Sequence, residues 1–240
     1  METPFIRTQM LIGEENYNKL KNSNVAVFGV GGVGGFVCEA LVRSGIGKIS
    51  VFDNDCVSIS NLNRQIIADT SSIGQSKVDV IKKRLLQINP QLEVSAFNLF
   101  FTSDNADQVS LEAYDYIVDA IDTVSSKLTL IKLAKQYNIP IISCMGTGGK
   151  LDITKLKVSD IKKTSGCPLA RVMRRELKKL EIESLKVVYS DEQATYNVCN
   201  AQENNQLKAD GKKAPPSMIF VPASAGLMLA SQVINDLINK

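Results

Sequence analysis

Residues 24–64 limit the fold of this chain more than any other stretch: NVAVFGVGGVGGFVCEALVRSGIGKISVFDNDCVSISNLNR. An apolar strand, Val25 to Phe28, runs into Gly29-Val30-Gly31-Gly32-Val33-Gly34, and a helix is predicted from there to about Ser44. Val33, Val37, Ala40 and Leu41 recur at the spacing of one buried helix face. Gly45 stands where a left-handed residue closes a helix. A second strand, Ile49 to Phe52, ends in Asp53. Strand, glycine turn, helix and strand form the βαβ opening of a nucleotide-binding sheet. Glycines let the backbone approach a phosphate, and the helix N-terminus offers N–H donors and a partial positive charge. Gly29, Gly31, Gly32 and Gly34 are therefore read as a nucleotide loop. An acid at the end of the second strand suits a ribose hydroxyl, which assigns Asp53. Folds for NAD, FAD, SAM and ATP share such a loop, and glycines also serve close strand–helix packing.

Residues beyond the loop discriminate better. Asn61-Leu62-Asn63-Arg64-Gln65 comes shortly after Asp53. Lys77 falls in the first turn of a helix predicted over 74–88, with Val78, Ile81, Leu85 and Ile88 on one face and Asn89-Pro90 as its stop. A lysine there opposes the helix dipole unless an anion lies nearby. Asp122 comes after a buried strand, Tyr116 to Ala120, and either caps the helix beginning at Thr123 or faces a ligand. A dinucleotide dehydrogenase does not need an arginine and a lysine converging on the phosphates. An enzyme that splits a nucleoside triphosphate does, because negative charge grows on the phosphates in the transition state. Arg64 and Lys77 are expected to stand exposed in a cleft. The chain has no histidine, so chemistry must rest on cations, carboxylates, backbone donors or thiols.

The stretches GVGGVG, DNDCVSISNLNRQ, GQSKVDVIKKRLLQINP and IDTVSSK resemble the adenylating enzymes related to ubiquitin-activating E1, with ThiF, MoeB and HesA as bacterial members. That likeness covers residues 7–150. RTQMLIG at 7–13, PLARVMRR at 168–175 and FVPASAG at 220–226 resemble the TcdA (CsdL) branch, which dehydrates tRNA threonylcarbamoyladenosine, and carry the likeness nearly end to end.

The resemblance implies an α/β fold with a Rossmann-like, doubly wound, mostly parallel sheet, the E1-like or ThiF adenylation fold. It implies one domain over 1–240, with a nucleotide-binding core at 7–150 and a C-terminal elaboration at 151–240 for substrate and dimer contacts. ATP and Mg2+ become the expected cofactors, with the metal on Asp122, phosphate roles for Arg64 and Lys77, and Asn61 in the nucleotide site. Arg7 is expected to cross a homodimer interface to the partner's ATP. The implied reaction is ATP-dependent cyclising dehydration of N6-threonylcarbamoyladenosine at position 37 of tRNA, through an acyl-adenylate. The alternative is adenylation of the C-terminus of a ubiquitin-like sulfur carrier, with the same ATP chemistry. Sulfur-relay proteins are further expected partners.

Relatives such as MoeB and ThiF often carry paired C-x-x-C zinc motifs late in the chain; this sequence has none, so structural zinc of that kind is not expected. The five cysteines are Cys38, Cys56, Cys144, Cys167 and Cys199. Cys167 takes the position where the branch leads one to expect an aspartate, and Cys199 is the first thiol to test for catalysis. No signal peptide and no membrane-crossing apolar run are read in the sequence, so a cytoplasmic protein is expected.

The formal net charge of +3 does not demand nucleic acid, so any basic patch must be local. One candidate is a helix predicted over 168–180, where Arg171, Arg174, Arg175 and Lys178 share a face, Lys179 adds to them, and Leu177 and Leu180 hold the core. A tRNA backbone is its natural partner. Elsewhere a strand at 93–97, a helix at 104–111, strands at 139–143, 151–158 and 187–189, and a closing helix at 223–238 are predicted. Residues 190–217 are read as a mobile loop over the site or a contact arm, and a short helix is expected around 14–20.

Overall fold

The computed structural model describes residues 4–195, 208–209, 212–213 and 215–239. Most of residues 190–217, the expected loop or contact arm, lie outside the described residues. Two short helices, α1 (Ile6–Ile12) and α2 (Glu14–Asn22), precede strand β1 (Asn24–Phe28). Helix α3 (Gly34–Arg43), β2 (Lys48–Phe52), α4 (Lys77–Ile88) and β3 (Glu93–Phe97) complete the first half. The chain continues through β4 (Tyr116–Asp119), α5 (Val124–Gln136), β5 (Ile141–Cys144), β6 (Leu156–Asp160), α6 (Pro168–Lys179), β7 (Lys186–Ser190) and α7 (Phe220–Ile238).

The seven strands form one sheet in the order β3-β2-β1-β4-β5-β7-β6. All neighbours run parallel except β6, which lies antiparallel on β7 at the edge. The sheet is continuous across residue 150. Both faces are covered, as a parallel sheet requires. Val25 and Val27 of β1 face one core with α3, α4 and α7, whereas Ala26 and Phe28 face a second core with α5 and α6. In that second core Phe28 stacks on Phe52 at 4.2 Å between centroids, and the exposed Phe97 stacks on Phe52 at 4.6 Å. The chain winds from β1 outward through β2 and β3, then returns to β4 on the other side. The strand order therefore reverses between β1 and β4, and ligands of such sheets bind outside the strand ends at that point.

Several predicted boundaries shift for local reasons. Helix α4 starts at Lys77 and not at 74, because Gly74 is left-handed (φ +84°) and Gln75 closes a turn on Ser72. Over 104–111 there are two single 3-10 turns instead of a helix. The Asn105 side chain accepts the Thr102 N–H and donates to the Phe100 carbonyl, which competes with a helical start. The strand predicted from 151 begins at Leu156, since the Asp152 carboxylate accepts the Thr154 N–H and hydroxyl and forces a 3-10 turn first. Helix α1 has no counterpart among the predicted elements.

Helix α7 corrects the expectation that no run is long and apolar enough to cross a membrane. Its 19 residues pass that test by length and a mean hydropathy of 1.2. The reason for its apolar character is packing. Val221, Ala225, Leu229, Ala230, Val233 and Leu237 are buried against α3 and the sheet. Gly226 permits the closest approach, since a Cβ there would lie 2.5 Å from the Val33 carbonyl oxygen.

Candidate active site

The glycines of the 29–34 turn divide into two kinds. Gly29 is left-handed (φ +89°), and a Cβ on it would sit 2.7 Å from the Ala120 oxygen. On Gly34 a Cβ would fall 1.8 Å from the Gly29 oxygen. These two are required by the fold, because the turn, the start of α3 and the loop after β4 press together. Gly31 and Gly32 are different. A Cβ on Gly31 would meet only Gln65 Nε2, at 3.8 Å, and one on Gly32 would come no nearer than 3.5 Å, to Arg64 Cγ. Among the described residues nothing forbids a side chain at either position, but only Gly31 is open, because Arg64 and Pro222 stand at contact distance from a Cβ on Gly32.

Asp53, just beyond β2, grips the same turn. Its Oδ2 accepts the Val30 N–H at 2.7 Å and its Oδ1 accepts the Asp55 N–H at 2.9 Å. Lys77 is the first residue of α4. Its Nζ lies 2.6 Å from Asp55 Oδ2 and 3.8 Å from Asp53 Oδ1. The two carboxylates supply the anions that a first-turn lysine needs. Against expectation, Lys77 is buried and does not stand open in a cleft. The segment before α4 folds over it, with backbone bonds from Val57 to Gln75 and from Lys77 to Asp55.

Arg64 lies on the turn that comes after a 3-10 helix at Ile59–Asn61. Asn61 is buried, and its Oδ1 accepts the Ser58 N–H at 3.0 Å, so it holds this turn in shape. Arg64 Nη1 donates to the Ser60 carbonyl at 2.6 Å and to Asn63 Oδ1 at 3.0 Å, and partial burial pushes its pKa down. The arginine thus sits beside Gly32, half covered. Gln65, also buried, presents its Nε2 to Gly31, and its Oε1 has no hydrogen-bond partner.

Strand β4 ends at Asp119, three residues earlier than Asp122, which is exposed in the loop between β4 and α5. Thr123 is the N-cap residue of α5 with no side-chain cap bond, so Asp122 does not cap that helix. The Asp122 carboxylate accepts the Thr123 hydroxyl at 3.3 Å. Sequence reasoning missed the groups behind it. Asp119, Lys127 and Ser143 have no exposed surface. Lys127 Nζ lies 2.9 Å from Asp119 Oδ2, which also accepts the Ser143 hydroxyl at 2.5 Å. The signal was available: Lys127 shares the spacing of Leu130, Ile131 and Ala134, the buried face of α5.

Arg7 is exposed on α1, away from these groups. Helix α1 is anchored by Phe5 against Tyr17, and Tyr17 packs on Gly45, beyond the far end of α3. The ten residues of α3 put about 15 Å between that end and the glycine turn.

On α6 the cations do not form one open face. Arg171, Arg175, Lys178 and Lys179 are exposed. Arg174 instead turns inward and donates to the carbonyl of Thr164, at 2.9 Å, and to its hydroxyl. Arg175 and Lys179 both contact Glu176 at 2.8 Å. Ala170, Met173 and Leu177 hold the helix to the core, whereas Leu180 is 40% exposed, contrary to expectation. Of the thiols, Cys38, Cys144 and Cys167 are buried and Cys56 is exposed; Cys199 lies outside the described residues. Burial pushes the Cys144 pKa up to about 12.

The ThiF family model matches residues 6–240. The chain belongs to the ThiF family. A ThiF-family relative from Bacillus subtilis, a tRNA threonylcarbamoyladenosine dehydratase, is 43% identical over 98% of this chain and 94% of its own length. The Escherichia coli enzyme of that name is 32% identical over 97% of this chain and 92% of its own. The solved E. coli structure, TcdA in complex with ATP, superposes with a TM-score of 0.87 at 32% identity, over 98% of this chain and 94% of that one. The complex with AMP gives 0.88. The fold is accordingly the ThiF/E1-like Rossmann type.

Proposed function

We propose that this chain catalyses the ATP-dependent dehydration of N6-threonylcarbamoyladenosine at position 37 of tRNA to its cyclic form. The observation that carries this reading is the end-to-end likeness to a dehydratase of that substrate, 43% identical over 98% of the chain. A sulfur carrier protein adenylyltransferase from Thermus thermophilus matches only 55% of it. That difference favours the tRNA substrate over a ubiquitin-like carrier.

The chemistry stems from a weakness of the substrate. A carboxylate is a poor electrophile, because its leaving group would be oxide. Attack of the threonyl carboxylate on the ATP α-phosphorus forms an acyl-adenylate and releases pyrophosphate. A nitrogen or hydroxyl of the same substrate then attacks the acyl carbon, AMP leaves, and the ring closes. Gly31 gives the phosphates room, and Gly32 keeps the turn close to Arg64. Asp53 holds the turn through Val30 and is the residue assigned to the ribose. Arg64 and Lys77 offset charge that grows on the phosphates, where positioned cations are worth most. Asn61 keeps the Arg64 turn in register.

Asp122 fits Mg2+, which takes oxygen ligands and commonly only one or two carboxylates beside substrate phosphates. Its carboxylate is exposed and lightly engaged. Among the described residues no three acid, cysteine or histidine side chains cluster, so a metal held mainly by substrate suits this site better than an all-protein cage. Bound there, the ion would neutralise phosphate charge.

Arg7 lies on α1, which is anchored beyond the end of α3 away from the glycine turn, and this placement suits a homodimer whose sites are finished by Arg7 of the partner subunit. Residues 7–150 then serve as nucleotide-binding core and 151–240 as the part that meets substrate, with α6 as the tRNA-backbone contact. We place the enzyme in the cytoplasm, alongside tRNA and sulfur-relay partners. Pyrophosphate release tests the reading. Modified tRNA should trigger it and carrier proteins should not; the reverse result would overturn it.

A further inference from the structure

The buried ion pair Asp119–Lys127 takes no part in the roles assigned above. Burying two charges is a poor way to stabilise a core, because the cost of removing them from water consumes most of their attraction. An apolar pair of the same volume would do as well. What the pair does is concentrated on one residue of the loop after β4. Asp119 Oδ1 accepts the Ile121 N–H at 3.1 Å, and Lys127 Nζ donates to the Ile121 carbonyl at 2.9 Å. That carbonyl belongs to the peptide group that leads into Asp122. On the other side the Ala120 N–H donates to the Phe28 carbonyl at 2.8 Å, and the Ala120 oxygen lies against Gly29. Ser143, from β5, holds the carboxylate that anchors the pair. The loop is thereby tied on one side to the glycine turn and on the other to two charges with no exposure.

We infer that Asp119, Lys127 and Ser143 form a positioning device that fixes Asp122 against the glycine turn and sets its affinity for the divalent cation that accompanies ATP. This rests on the metal role proposed for Asp122. None of the three touches substrate. They act through the Ile121 peptide groups, as outer partners orient a metal ligand.

Lys127→Met alone would strand a buried carboxylate, so the test pairs it with Asp119→Asn, which removes both charges at nearly constant volume. Three quantities are read on the full chain: the melting temperature, hydrogen exchange of the Ile121 amide, and Mn2+ binding beside a non-hydrolysable ATP analogue, monitored by the spin-resonance signal of free Mn2+. The expected outcome is a folded protein whose Ile121 amide exchanges at least about tenfold faster and whose Mn2+ midpoint rises about tenfold or more. A folded double variant with both quantities unchanged would reduce the pair to core filling and overturn the inference. Should the double variant not fold, Ser143→Ala keeps both charges and removes one bond. It should shift both readouts in the same direction, and no shift would likewise overturn the inference. Asp122→Asn separates the two levels of argument. If it leaves the Mn2+ midpoint unmoved, the metal role of Asp122 is wrong, and positioning stands or falls on the exchange of Ile121 alone.

Discussion

Replacing Gly31 and Gly34 by alanine, one at a time, should damage the protein in opposite ways. At Gly34 the added methyl would lie 1.8 Å from the Gly29 oxygen and 2.9 Å from the Gly29 carbonyl carbon. Both are main-chain atoms of a left-handed turn pinned by the Gly29 N–H to the Phe52 carbonyl at 2.8 Å, so no flexible side chain can absorb the overlap. The clash belongs at the upper end of the ~1–3 kcal/mol typical of overpacking. Alanine recovers up to about 1 kcal/mol as a better helix former, which leaves a net loss of about 2 kcal/mol. For a domain of this size that lowers the melting temperature by ~4–8 °C. At Gly31 the methyl meets only Gln65 Nε2 at 3.8 Å and the backbone is not left-handed, so stability should stay within about 0.5 kcal/mol. ATP affinity should instead fall at least about tenfold, equivalent to ~1.4 kcal/mol, because the methyl projects into the space assigned to phosphate. Thermal melting and calorimetric ATP titration on both variants decide the matter. Unchanged ATP affinity in Gly31→Ala, or an unchanged melting temperature in Gly34→Ala, would refute the division of the glycines.

Arg64→Ala and Lys77→Met should each slow adenylation roughly a hundredfold, about 3 kcal/mol, in single-turnover assays of AMP formation. Both should remain folded, since of the two carboxylates that Lys77 leaves behind Asp55 is 62% exposed and can return to water, and Asp53 keeps the Val30 and Asp55 N–H bonds; near-normal rates would remove the assigned roles. Mixing Arg7→Ala chains with Asp53→Ala chains should restore partial activity, because one composite site in a heterodimer would be whole, and no recovery in verified heterodimers would sink the shared site. Changing Arg171, Arg175 and Lys178 to Glu should weaken tRNA binding and flatten its salt dependence without altering ATP affinity. Arg174 is left out because it is bound to Thr164; an unchanged salt slope in gel-shift titrations would return α6 to a plain solvated face.

The strands and long helices were legible because their apolar periods are clean. Residues 24–53 fold as read, and β3 matches its predicted limits at both ends. Errors fell where side chains compete with the backbone for hydrogen bonds, as Asn105 and Asp152 do, and such competition leaves no periodic trace. The site was legible as a set of residue types and not as an arrangement. Burial of Lys77 depends on how the segment 57–76 folds back over it, a tertiary event. The inward turn of Arg174 depends on Thr164, ten residues away. Asp119 and Lys127 went unnoticed for a related reason. Each looks like an ordinary charge at the end of a strand or on a helix, and only the alignment of Lys127 with Leu130, Ile131 and Ala134 betrays a buried cation.

The seat of α7 has a consequence for the order in which the site can come into being. Its first turn brings Pro222 within 3.6 Å of a Cβ on Gly32, and Gly226 lies against the Val33 carbonyl, so the nucleotide turn is backed by residues some 190 positions later in the chain. A polypeptide emerging from the ribosome can pair β1 with β2 early, because those contacts are close in sequence. It cannot close the wall behind the glycine turn until α7 has been made. Contacts of such separation form late and slow the folding of a domain. Nascent chains therefore carry the whole glycine turn without its finished wall until α7 has been made.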